Sequence, residues 1–98
     1  MSKASEYRAT AMTARKPFGT KSDSLTGVEG TVWSTGRMHE DEAAEYKRHP
    51  ASGEEIIYTV LSYGTPIAWM RADGSKFITT SKYSATTSHH LSEVRRAF

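Results

Sequence analysis

A chain of 98 residues with a formal charge of +2 and no cysteine makes one small domain, or one domain with a tail. The missing cysteines exclude a disulfide framework, a thiolate metal site and a cysteine nucleophile, and so small a charge does not by itself argue for nucleic acid. Apolar runs fall short of a membrane span and the N-terminus lacks the apolar core of a signal peptide, so the expected setting is soluble and cytoplasmic.

Charge is ordered along the first half. Residues 1–21 carry Lys3, Arg8, Arg15, Lys16 and Lys21 against Glu6, and residues 23–45 carry Asp23, Glu29, Glu40, Asp41, Glu42 and Glu45 against Arg37. The two blocks neutralise each other or steer a partner, and self-neutralisation is the simpler reading. "SKASEYRATAMTARK" predicts a helix with a thin apolar stripe (Tyr7, Ala11, Met12) that Pro17 and Gly19 end. "GTKSDSLTGVEG" is small and polar and reads as a linker. "TVWST" fits a short strand. "HEDEAAEYKR" fits a polar helix, with acids in its first turn and Lys47 and Arg48 in its last, stopped by Pro50.

The second half carries the core. Leu, Ile, Val and Phe number fourteen in the chain, and ten of them lie between Ile56 and Phe98. "EEIIYTVLSY" predicts a central strand over 54–63, which "GTP" breaks because Pro66 has no N–H for a ladder. "IAWMRA" predicts a second strand and "SKFITT" a third, joined at Asp73-Gly74 by a two-residue turn. That turn sets Arg71 opposite Lys76, Met70 opposite Phe77 and Trp69 opposite Ile78. Ile67, Trp69, Arg71, Lys76 and Ile78 then share one face, and Ala68, Met70 and Phe77 the other. Both faces are partly apolar. A C-terminal helix covers one, and the other needs the N-terminal segments, a second copy or a partner protein.

Residues 79–90 hold eight hydroxyl-bearing side chains and close on His89-His90. Thr87 or Ser88 is placed to cap a helix "HHLSEVRRAF", whose Leu91, Val94 and Phe98 form one apolar stripe. Capping and turn formation account for most of these hydroxyls. Ser84, Ser88, His89 and Glu93 can be assembled on paper into a hydrolase set, but no G-x-S-x-G elbow supports it. His89 and Glu93 have the spacing of a shared metal, yet His90 points roughly 100° away, and His39 and His49 are remote. No catalytic residue, metal or cofactor is therefore expected. Nucleic acid is the alternative: Arg71 and Lys76 would share a face with Trp69 as a stacking platform, with Lys82 and Tyr83 close behind.

"YTVLSYGTPIAW" and "KYSATTSHH" together resemble a family of small proteins encoded by bacteriophages of actinobacteria, a domain of unknown function. The matching positions are Tyr58, Val60, Ser62, Tyr63, Thr65, Pro66, Ile67, Ala68, Trp69, Tyr83, Ser84, Thr86, Thr87, Ser88 and His90, with a fainter echo in "PFGTKSDSLTG". The resemblance implies a phage accessory protein made in the host bacterial cytoplasm, binding a host or phage macromolecule.

The expected fold is α+β: an antiparallel sheet of three or four strands with a C-terminal helix on one face. Residues 1–28 would form an N-terminal helix and flexible linker, and 29–98 the single small domain. The expected function is a non-enzymatic protein–protein interaction module with a host or phage protein as partner, or a homodimer. Tyr63, Trp69, Arg71, Lys76, Tyr83 and His90 are the candidate binding residues.

Overall fold

The computed structural model describes residues 3–19, 24–32, 36, 38–48, 52–79 and 85–98, and the side chains of all of these except 3–6 and 85–89. Along the chain run α1 (Lys3–Ala14), β1 (Leu25–Glu29), α2 (Glu40–Lys47), β2 (Ile56–Ser62), β3 (Thr65–Arg71), β4 (Lys76–Ile78) and α3 (Ala85–Ala97). The strands form one antiparallel sheet in the order β1-β2-β3-β4. The class is α+β, as the order of predicted strands and helices implies. None of the described helices is long and apolar enough to cross a membrane.

β2 and β3 form the centre because their β-branched and aromatic residues suit a sheet covered on both sides. Tyr58, Val60, Ile67 and Ala68 meet Ala11 and Met12 of α1 and Leu91 and Val94 of α3, with Phe18, Leu25 and Phe98 closing the same core. Thr59 and Trp69 alternate with these residues and point to the opposite face. There α2 lays Tyr46 edge-on against Trp69 at 4.8 Å, and Trp69 stacks on Phe77 at 4.3 Å. The second apolar face is thus covered by the N-terminal half of the chain itself.

Two segments of the first half differ from expectation. Residues 25–29, read as linker, are edge strand β1, paired with β2 from Leu25↔Ser62 to Glu29↔Tyr58. Gly27 makes this possible: a side chain there would collide with the Phe18 ring and the Tyr58 hydroxyl, and its bare backbone instead exchanges two 3.0 Å hydrogen bonds with Phe18. In the segment expected as a strand over 31–35, Thr31 and Val32 lie outside any strand, and residues 33–35 lie outside the described residues.

The two-residue turn expected between β3 and β4 is not found there. A two-residue turn lies between β2 and β3, where Tyr63 and Gly64 adopt φ of 51° and 77° between the paired Ser62 and Thr65. Pro66 continues β3 because it sits at a register irregularity facing Leu61, beyond the reach of β4, so its missing N–H interrupts no ladder. Between β3 and β4 the loop is longer. The Gly74 amide donates to Arg71 O and the Arg71 amide to Ser75 O, both at 2.9 Å, with Gly74 at φ 90°. Asp73 accepts the Ser75 amide at 2.9 Å, and its hydrogen bonds from Ser75 hold its carboxyl below the ordinary value.

The extra loop residue slips the register by one, giving Ala68↔Ile78, Trp69↔Phe77 and Met70↔Lys76. One residue of slip turns every side chain of β4 over. Lys76 therefore leaves the Trp69 face, and Arg71 no longer opposes it. At the C-terminal end, α3 begins at Ala85, so Thr87 and Ser88 lie inside its first turn rather than at its cap. The first turn of a helix has no intrahelical partners for its N–H groups and tolerates hydroxyl residues.

Candidate functional site

The candidate residues separate to two ends of the sheet. At the β2–β3 turn stand Tyr63 and His90. His90 comes from α3 and is buried between two strands: its Nδ1 lies 2.7 Å from Ser62 Oγ and its Nε2 lies 3.3 Å from Ser24 Oγ. A neutral imidazole has one donor and one acceptor nitrogen, and hydroxyls answer either, so both ring edges are matched. Ser62 is itself buried at the end of β2. A serine–histidine pair closed in this way pins α3 to β2 and to the start of β1; a nucleophile would need its hydroxyl open to substrate.

Tyr63 crosses the tip of this anchor. Its amide donates to Ser24 O at 2.7 Å, and its ring lies 5.9 Å from the His90 ring in a tilted arrangement. The side chain nevertheless keeps 63% of its surface in solvent.

At the other end, around the β3–β4 loop, Trp69, Arg71 and Lys76 line a cavity of about 210 Å³ together with Glu45, Ser75 and Phe77. Arg71 works as a tie inside this end. Its Nη1 donates to Glu54 O at 2.7 Å, and its Nη2 donates to Glu45 O at 3.4 Å and Oε1 at 3.3 Å. Lys76 points the other way and donates to Phe98 O at 2.9 Å, which also accepts from Arg15 Nη2 at 3.2 Å. Trp69 is 1% exposed beneath Tyr46. The basic and aromatic face proposed for nucleic acid is therefore not assembled: its tryptophan is buried, its arginine joins secondary-structure elements, and its lysine is on the opposite face. Tyr83, like Lys82 and Ser84, lies outside the described residues. Among the described residues no three His, Asp or Glu side chains gather as metal ligands would.

Two residues absent from the sequence-based candidates hold α2 to the sheet. The Tyr46 hydroxyl accepts the Val32 amide at 3.0 Å and lies 2.9 Å from Thr59 Oγ1, which donates to Gly30 O at 2.7 Å. Thr79 Oγ1 donates to Glu42 Oε1 at 2.7 Å and ties α2 to the end of β4. The available signal was Tyr46 itself, the one large ring in an otherwise polar helix.

The chain belongs to a family of unknown function, DUF8033, whose profile matches residues 5–97. Comparison with curated proteins and with solved structures gives no match.

Proposed function

We propose that this member of a family of unknown function is a non-enzymatic interaction module, a bacteriophage accessory protein that presents Tyr63 at its β2–β3 turn to a host or phage protein. The carrying observation is that Tyr63 combines φ 51° with 63% exposure. A left-handed backbone disfavours any residue with a Cβ by roughly 1–2 kcal/mol, and turns of this kind take Gly, Asn or Asp. A buried tyrosine would offset that strain by packing. This one leaves most of its ring in water, so its value lies outside the fold. Tyrosine is also a residue type that anchors interfaces, because a large rigid ring loses little entropy on binding. The phage origin rests on the resemblance carried by the Tyr58–Trp69 and Lys82–His90 blocks.

The test is affinity capture from nuclease-treated and untreated host lysate, with the tagged wild-type protein and Tyr63→Asn run side by side. A discrete protein retained by the wild type after nuclease and lost with Tyr63→Asn is the expected result. Retention that ignores the substitution, or that vanishes with nuclease, overturns the reading, and the second outcome points to nucleic acid.

A further inference from the structure

The outer surface of the α1/α3 layer has three features that fit one another. The first is a groove of about 530 Å³ lined by Ala9, Thr10, Thr13 and Ala14 of α1 and by Glu93, Arg96 and Ala97 of α3. Thr13 Oγ1 donates to Ala97 O at 2.9 Å and draws the two helices together there. From Ala9 to Ala14 the helix carries no charge, which is unusual for an outward face.

The second feature is Tyr7, which is 63% exposed. Thr10 and Ala14 follow it at three and seven residues, so all three lie along one stripe of α1. A ring and an open groove with room for a ring thus occupy the same surface, about one to two helical turns apart. The third feature is polar. Glu93 receives both Arg8 N–H groups on Oε1, at 2.8 and 3.2 Å, and its Oε2 accepts no hydrogen bond among the described residues. Arg96, one turn further along α3, is exposed and makes no ion pair among the described residues.

We infer that this face is an interface for a second copy of the chain, related by a two-fold axis. An isologous contact requires a patch that complements itself, with each element meeting its counterpart's complement. An antiparallel α1·α1′ crossing centred near Thr10 carries Tyr7 of each copy over the small residues near Ala14 of the other. The same axis sets each Arg96 toward the other copy's Glu93, where Oε2 accepts it. Small residues at the crossing allow close approach, as they do wherever helices pack tightly. The occupant follows from this double match: a partner of unrelated sequence would have to supply both the ring and the reversed charges. The inference is independent of the role assigned to Tyr63, which lies at the β2–β3 turn rather than on this layer.

Sedimentation equilibrium of the full chain from micromolar to millimolar concentration tests it, with Tyr7→Ser, Thr10→Arg and Arg96→Glu beside the wild type. Tyr7 and Thr10 are exposed positions, so these variants keep the fold, which a thermal melt checks directly. The expected result is a concentration-dependent dimer whose dissociation constant rises on the order of thirtyfold with Tyr7→Ser or Thr10→Arg, as for loss of an anchoring ring. Arg96→Glu should weaken it less and make it sensitive to salt. Tyr63→Asn should leave it unchanged. A monomer throughout the range overturns the inference, and so does a dimer that Tyr7→Ser and Thr10→Arg leave intact.

Discussion

At residue scale, the strain at Tyr63 and the burial of Tyr58 lead to opposite kinds of change. Asparagine tolerates φ 51° far better than tyrosine does. Tyr63→Asn should therefore stabilise the fold by about 0.5–1.5 kcal/mol, raising the melting midpoint by several degrees in a domain of this size. Calorimetry reads the change directly. A fall in the midpoint would mean that the ring's contact with His90 outweighs the backbone strain. Gain of stability together with loss of capture is the signature of a residue kept for binding. Tyr58 behaves differently because its hydroxyl sits inside, donating to Lys16 O at 2.7 Å. Burial pushes its ionisation from 10.0 to about 12, slightly offset by the charge of Arg15. The folded chain thus keeps a proton that the unfolded chain loses above pH 10. Its contribution to stability is complete below that pH and declines as pH rises toward 12. Tyr58→Phe should be less stable than wild type at neutral pH by about 1 kcal/mol, the worth of one hydrogen bond. The gap should close as urea denaturation is repeated up to pH 12. A gap that stays constant would show that the hydroxyl does not hold its proton in the fold.

At element scale, the placement of α2 depends on few side chains, and Arg71 is the chief of them. Its guanidinium reaches Glu54 O and Glu45 O, so it joins β3, the residues before β2 and the helix. Arg71→Met keeps the length of the stem but takes the donor from Glu54 O and the ion-pair partner from Glu45, which should cost about 1–3 kcal/mol. Hydrogen exchange should quicken in α2 more than in β2 or β3; uniform quickening would assign Arg71 to the sheet instead. How much of this was legible depends on the range of the signal. β2, β3, α2 and α3 were readable because apolar spacing and β-branching act within each segment. β1 was not, since Leu25 and Val28 form a strand only because Gly27 admits Phe18 and Tyr58, and that closeness is set by the fold. The β3–β4 register failed at a single loop residue: Asp73-Gly74 signals a two-residue turn, yet Gly74 serves as the bulge of a longer one. The candidate site inherited that slip. Trp69 and Arg71 were expected to share a binding face with Lys76, and that face existed only in the wrong register. The serines about His90 were unreadable for a simpler reason, being 28 and 66 residues away.

At the scale of the whole molecule, the question is whether the N-terminal helix is an appendage or part of the core, since its own sequence shows only a thin apolar stripe. Met12 is completely buried, Ala11 and Phe18 nearly so, and all three belong to the core that contains Val60 and Val94. The Arg15 guanidinium lies 4.6 Å over the Phe98 ring and donates to Phe98 O, joining the end of α1 to the end of α3. Burial lowers the pKa of Arg15, and its charge is answered within this cluster by carbonyls. Burying a Met or Phe side chain contributes about 1.5–3 kcal/mol each. Together with Ala11 and the Phe18–Gly27 bridge, α1 and its trailing segment supply at least about 5 kcal/mol. A domain of this size has about 5–15 kcal/mol in total. Removal of residues 1–19 should therefore abolish cooperative unfolding, while removal of only the residues before Lys3 should leave the melt unchanged. Circular dichroism melts of the two truncations decide the matter. If residues 20–98 still melt in one sharp transition, the sheet, α2 and α3 form a sufficient core and α1 is an accessory layer. If they do not, the first nineteen residues are as much a part of the domain as β2, despite a sequence that reads as helix and linker.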